Sequence, residues 1–452
     1  MSESLPVAAS DFTQPPLPSH VGKFKVMSRL GEGSTSEVFL CFDEFHQREV
    51  AVKRIKPEVL DDPIDGPLFA RFFAAEAALV GRLKHPHVVQ IFDAITQGPE
   101  RYIAMEYVPG STLRPFCRSD NLLPLEVVVE IGFKCAKALG YVETQGLIHR
   151  DIKPANILAT LEKGAIKEVK ITDFGSALNL RADSTQIHRV GSLAYMPPEQ
   201  FEGATVNAQA DMYSLGAVLY HLMTGHAPFE ANEQSVLINM VLHQPPATPS
   251  SRRAGLSEGV DRVLMTALAK RPEHRFQSWD AFAEALAALI TNREIPRANL
   301  QTVLDSERFN LLRSLDFFRR FGDVELWEVV HQGRWQRFGF GQALMRTGQM
   351  GRDFHIIAQG SVDVFREGQR VAHLAAGTSV GEMSYLAPSN DLRVRSADVI
   401  VVDPCTTISF TPESLKQLSG HCRRRFDQAF ISVLVRRLHA AHEALQHPRR
   451  IM

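Results

Sequence analysis

The chain of 452 residues contains no apolar run of about 18 residues, the length a helix needs to span the hydrocarbon of a bilayer. Its first residues carry Glu3 and Asp11 among several prolines, without the basic-then-apolar order of a signal peptide. Cysteine is scarce. The five present (Cys41, Cys117, Cys135, Cys405 and Cys422) show neither paired metal-ligand spacing nor the density of a disulfide scaffold, which points to a reducing, cytoplasmic compartment. Neither sign of charge prevails. With 50 Lys and Arg against 51 Asp and Glu, the net charge of −1 gives no global field that would favour nucleic acid or an anionic membrane. The length exceeds one ordinary core and suggests two or three domains, and 44% apolar with 22% charged residues is the balance of a globular protein.

Residues 1–20 are rich in Ser and Pro, lack periodicity, and read as a flexible tail. From Phe24 to Phe42 the apolar residues predict two strands joined by a Gly-rich turn, Glu49 to Ile55 a third, and Phe69 to Leu83 has helical spacing. Leu125 to Thr144, Ala210 to Met223 and Gly259 to Ala269 then favour helices, and residues 278–290 form a last amphipathic helix. A polar stretch with Pro296 over 291–308 reads as a linker. Leu312, Leu315, Phe318 and Phe321 return to helical spacing, Trp335 to Phe410 reads as short strands punctuated by glycine, and helices follow from Pro412 to Leu445. The expected architecture is α+β: two unequal lobes over 21–290, a linker over 291–308, and a small β-roll with flanking helices over 309–445.

Two short signatures carry the chemistry. His149-Arg150-Asp151-Ile152-Lys153-Pro154-Ala155-Asn156 precedes Asp173-Phe174-Gly175. Phosphoryl transfer needs a carboxylate to accept a hydroxyl proton and further oxygen ligands to hold Mg²⁺ against nucleotide phosphates. Asp151 can do the first; Asn156 and Asp173 can do the second.

This pairing resembles the catalytic loop and metal-binding Asp-Phe-Gly of the eukaryotic-type protein kinases, in the compact form found in bacteria. Gly31-Glu32-Gly33-Ser34-Thr35-Ser36 resembles the family's Gly-rich phosphate loop, with Ser36 where a third glycine is usual. The resemblance implies an ATP site lined by Gly31, Gly33, Val38 and Ala51, with Lys53 of Val50-Ala51-Val52-Lys53 on the α- and β-phosphates and Glu76 paired to it. It places the adenine-binding hinge at Met105-Glu106-Tyr107-Val108, with Glu106 and Val108 as its ATP-binding residues. Lys153, two residues past Asp151, matches kinases that act on Ser or Thr and would steady the γ-phosphate. Gly191 to Glu199 resembles the substrate-receiving segment, Ser192 matching a hydroxyl near Asp151 and Glu199 pairing with Arg275. Arg150 implies control by a phosphorylated activation loop, for which Ser184, Thr185 and Ser192 are candidates.

Residues from about 309 to 445 resemble cyclic-nucleotide-binding domains, on Gly341, Gly348, Gly360, Gly377 and Val380-Gly381-Glu382. There Gly381 and Glu382 would open the phosphate cassette, Glu382 accepting from the ribose and Arg395 neutralising the cyclic phosphate beside Ser396. The segment between them is longer than usual, Asp398 brings negative charge close to the phosphate position, and Arg393 competes for the arginine's role. A β-roll that keeps the fold without the ligand is the alternative. The basic residues at Arg423-Arg424-Arg425 and Arg436-Arg437 read as a solvated helix face.

These readings imply a cytoplasmic serine/threonine protein kinase using ATP and Mg²⁺, acting on protein substrates, with cAMP or cGMP as the candidate regulatory ligand. The sensor is expected to act through the linker, so that a cut near residue 300 leaves a competent kinase fragment. No nucleic-acid partner or membrane span is expected, and a homodimer is compatible with the sequence. The competing readings are a non-catalytic nucleotide sensor or scaffold built on the same fold, and a nucleic-acid regulator.

Overall fold

Alternating apolar side chains set up the first sheet. The computed structural model describes residues 17–98, 100–162, 165–176, 178–179, 193–296, 303–387 and 393–446. Strands β1 (His20–Val21), β2 (Phe24–Glu32), β3 (Ser36–Asp43), β4 (Arg48–Ile55), β5 (Ile91–Ile95) and β6 (Tyr102–Glu106) form an antiparallel sheet ordered β1-β2-β3-β4-β6-β5. Every second residue of β3 is buried, so Phe39 and Cys41 meet Phe24, Val50, Val52, Tyr102 and Ala104 in one core. Helix α1 (Gly66–Ala77) turns Phe73 and Glu76 inward. It begins a little before the predicted Phe69 and stops short of Leu83.

The helical body is built around α2 (Leu125–Thr144), whose bounds match the periodicity. Val128, Val129, Ile131, Phe133, Cys135 and Leu139 are all buried, and so are the charged Glu130, Lys134 and Lys137, so the helix is enclosed on every side. A hairpin of β7 (Ile157–Glu162) and β8 (Ala165–Ile171) follows, then α3 (Ala208–Thr224). Asn207 caps α3 by accepting from the Gln209 amide, and Gly225 ends it at φ 79°.

Further on, α4 (Trp279–Thr291) is capped by Ser278 and carries the expected amphipathic face. Helix α5 (Asp305–Ser314) starts within the segment expected as linker, and α6 (Asp323–Gln332) follows. The β-roll consists of β9 (Arg334–Phe338), β10 (Ala343–Met345), β11 (Phe354–Arg366), β12 (Gln369–Ala375), β13 (Ser379–Val380) and β14 (Asp398–Phe410). The sheet order is β9-β14-β11-β12, with β10 on β14 and β13 on β11. Met345, Ile357, Val362, Val380, Val399, Val401 and Cys405 fill it. Its two central strands are longer than predicted. Gly360 does not end a strand but sits at a register shift inside β11, at φ 84°, so close to the Pro404 carbonyl that a Cβ has no room. Short α7 (Glu382–Leu386) and long α8 (Gly420–Gln446) complete the domain.

The chain divides into two compact units. One comprises Met1–Leu122, Ala138–Arg252 and Leu264–Gln277, the other Leu123–Lys137, Arg253–Val263 and Ser278–Met452. One break between these units falls inside α2, between Lys137 and Ala138. Among the described residues no helix is long and apolar enough to cross a membrane, and the five cysteines are buried free thiols.

Candidate active site

Strand β4 carries Lys53 toward two carboxylates at once. Its Nζ donates to Glu76 Oε2 at 2.8 Å and to Asp173 Oδ1 at 2.7 Å. Burial alone would lower the lysine's pKa, but the attraction of Glu76 and Asp173 outweighs it and holds the pKa above its ordinary value. Lys53 holds the Asp173 carboxyl below the usual carboxylate range. Burial raises that of Glu76, which is 2% exposed, against the pull of Lys53. In the register of β3 with β4, Val38 lies opposite Lys53, and Ala51 is buried beside it. A Cβ on Gly31 would meet nothing within 4 Å, and neither Gly31 nor Gly33 has positive φ. Their lack of side chains preserves open space above the sheet, not a turn conformation.

The catalytic loop is fastened from below by a carboxylate the sequence did not single out for this work. Asp211 of α3 accepts from the backbone amides of His149 (2.7 Å) and Arg150 (2.8 Å). These bonds secure Arg150 in the left-handed region at φ 68°; Asp173 sits there too, at φ 66°. His149, fully buried, accepts from the Asp151 amide and packs against Phe174 with ring centroids 4.6 Å apart. Asp151 Oδ2 receives Lys153 Nζ at 2.7 Å and Asn156 Nδ2 at 3.0 Å, and Asn156 also donates to the Asp151 carbonyl. Arg275 holds Glu199 through two parallel bonds of 2.6 and 2.8 Å, as the sequence predicts. At the hinge, the Glu106 amide is taken by the Gln90 carbonyl, its carboxylate lies 3.0 Å from Lys170, and Val108 is buried. Ser184, Thr185 and Ser192 lie outside the described residues.

In the C-terminal domain Gly381 adopts φ 82° and opens α7, so that Glu382 stands at its first position. Glu382 is 1% exposed and bonded to Arg437 of α8, which also donates to the Ser379 carbonyl at 2.6 Å. Arg437, read from the sequence as part of a solvated face, stays 40% exposed while it makes these two contacts. Glu382 Oε2 is buried without a hydrogen-bond partner. Arg395 is buried and donates to the Gly381 carbonyl at 2.9 Å and to Asp353 Oδ1 at 2.6 Å, while Ser396 beside it is exposed. The negative charge at the arginine is that of Asp353, not Asp398. Asp398 instead accepts from the Thr347 amide at 2.6 Å. A hydrogen bond from His355, aided by Arg395, lowers the Asp353 pKa to about 2. No spacing in the sequence marks Asp353, because β11 and the cassette meet only after folding.

The donor set fits a nucleotide with a hard cation. Among the described residues nothing donates to Asn156 Oδ1 or Asp173 Oδ2. Mg²⁺ is ordinarily held by one or two protein oxygens together with substrate phosphates and water. Residues 24–287 match the family model of the protein kinase domain. The chain belongs to the protein kinase family. Residues 335–421 match the model of the cyclic nucleotide-binding domain. Serine/threonine-protein kinase PknB of Mycobacterium leprae is 36% identical over 66% of this chain and 47% of its own length. PknB of Mycobacterium tuberculosis matches to the same extent, and PknJ of Mycobacterium bovis is 37% identical over 59% of this chain and 45% of its own. The chain spans about half the length of these curated relatives. The crystal structure of the Mycobacterium tuberculosis PknI kinase domain aligns at TM-score 0.48 and 30% identity, over 62% of this chain and 100% of that one.

Proposed function

We propose that this protein transfers the γ-phosphate of ATP to serine or threonine hydroxyls of protein substrates, at a rate set by a ligand of its β-roll. The observation that carries the reading is the assembled lysine bridge: Lys53 joins Glu76 and Asp173 in one hydrogen-bonded set. Lys53 is then placed to hold the α- and β-phosphates, and Asn156 and Asp173 to hold the cation. Mg²⁺, when bound, supplies charge neutralisation for the phosphates. Asp151 accepts the proton of the substrate hydroxyl as its oxygen bonds to the γ-phosphorus and ADP leaves. Lys153 and Asn156 orient the Asp151 carboxylate for that task. The intact set of Lys53, Asp151 and Asp173 speaks against a non-catalytic scaffold.

The test is Asp151→Asn, nearly isosteric but without the proton acceptor. Autophosphorylation with labelled ATP should fall by about 10² or more, in the range general-base catalysis supplies. Near-normal turnover by a folded variant would remove Asp151 as the base.

For the β-roll, buried Glu382 with an unpartnered oxygen and buried Arg395 support a cyclic nucleotide such as cAMP or cGMP. Calorimetry of the full chain with each decides this; no heat of binding with either leaves a ligand-free β-roll. Five buried, unpaired thiols support a reducing, cytoplasmic setting. The exposed Ile431, Leu434, Val435 and Leu438 of α8 support a homodimer, which sedimentation would detect.

A further inference from the structure

Helix α2 buries three charged side chains on its first turns: Glu130, Lys134 and Lys137 are 4%, 1% and 3% exposed. Charges so buried require close partners. Lys134 Nζ donates to Asp305 Oδ2 at 2.9 Å and lies 3.6 Å from Glu130. Glu130 accepts from the Ser306 hydroxyl at 2.6 Å and from its amide at 3.1 Å. Lys137 Nζ donates to Asp280 at 2.6 Å and to Asp323 at 3.2 Å, and Arg313 donates to the same Asp280 at 2.8 Å. Between the two ion clusters Phe133 packs edge-on against Phe309 and Trp327, all three fully buried.

Apart from Asp280, every partner outside α2 comes from residues 305–327. Neither family match, 24–287 or 335–421, covers that stretch. The other side of the same segment is fixed to the β-roll. Phe317 packs on Phe430 and Phe426 of α8 at 5.4 and 6.0 Å, and Glu328 accepts from the Ser419 amide and hydroxyl. Helix α8 also carries Arg437, the partner of Glu382.

We propose that residues 305–332 form a helical cap fastened to α2 by these buried ion pairs. The cap is an integral part of the fold, and through it the β-roll acts on catalysis. The second clause rests on the regulatory reading above. Helix α2 ends at Thr144 and leads directly to the loop of His149 and Asp151, so a change in the cap's grip reaches the catalytic carboxylate along one helix.

The experiment uses the full chain carrying Asp305→Asn and Asp323→Asn, which leave Lys134 and Lys137 short of counter-charge. Amide hydrogen exchange should show residues 125–137 and 305–332 losing protection together, on the order of a hundredfold, as buried pairs do when one partner is removed. Should the double variant fail to fold, Asp323→Asn alone, whose carboxylate is 34% exposed, gives the same joint loss at smaller amplitude. Loss confined to 305–332, or none, overturns the cap. In kinase assays with saturating cAMP or cGMP, the wild-type rate change should vanish in the variant while calorimetry shows the nucleotide still bound. An undiminished response overturns the route. If the wild type responds to neither nucleotide, the regulatory reading fails, and exchange alone decides the cap.

Discussion

Lys53 is a half-buried cation and Arg395 a buried one, and their neighbours commit them differently. Lys53 faces Glu76 and Asp173, and among the described residues nothing donates to Asp173 Oδ2, so its ion pairs assemble the site. Arg395 faces Asp353 and the Gly381 carbonyl in the place where the cassette would receive a phosphate. An arriving phosphate must then compete with a carboxylate already in charge-assisted contact, a bond roughly twice as strong as a neutral one. Asp353→Asn removes that competitor while keeping the shape. Calorimetry with cAMP should therefore show tighter binding to Asp353→Asn than to the wild type, by about tenfold if half of a buried charge-assisted contact of 1.5–3 kcal/mol is released. Arg395→Ala should abolish binding. Equal affinity in wild type and Asp353→Asn would mean that Asp353 does not oppose the ligand.

At the scale of elements, the strands and helices around the catalytic signatures were legible because each has its own period. Leu125–Thr144 is read correctly from apolar spacing alone, and the alternation of Phe39 and Cys41 gives β3 its buried face. Helix α5 was not legible. Asp305, Ser306 and Glu307 make its start look like linker, and only partners on α2, distant in the chain, explain why this polar turn is helical and packs with Ser306 buried. The role of Asp211 was hidden for the same reason: a lone aspartate in an apolar helix does not announce which amides it will hold. The expected outcome of a cut near residue 300 changes accordingly. Such a fragment keeps Glu130, Lys134 and Lys137 but loses Asp305, Ser306 and Asp323. Lys134 keeps Glu130 and Lys137 keeps Asp280, but Phe133 loses the cover of Phe309 and Trp327, and exposing one buried Phe costs about 1.5–3 kcal/mol, a large part of a domain's stability. Residues 1–300 should melt well below the full chain by circular dichroism and lose kinase activity with the fold. A fragment as stable as the parent would show that the cap adds nothing to its stability.

For the molecule as a whole, the response to acid follows from where its carboxylates are paired. Bonds from Arg313 and Lys137 lower the Asp280 pKa to about 2, below the ordinary 3.8. A carboxyl depressed on folding contributes stability above its unfolded pKa and loses it as pH falls through the folded value. Burial-raised Glu130 and Asp211 work in the opposite sense, gaining protons more readily in the folded state, so the total profile is a sum of opposed slopes. The contribution of Asp280 separates from that sum when wild type is compared with Asp280→Asn. Above about pH 5 the variant should unfold at lower urea, by a constant margin, because the Asp280 carboxylate is ionised in both folded and unfolded states. As pH falls from about 4 toward 2, Asp280 protonates in the unfolded chain first, and the margin should close. Urea midpoints at half-unit intervals of pH measure it. A margin unchanged down to about pH 2 would show that Asp280 acts by packing or neutral hydrogen bonding, and that Lys137 and Arg313 draw their counter-charge from Asp323.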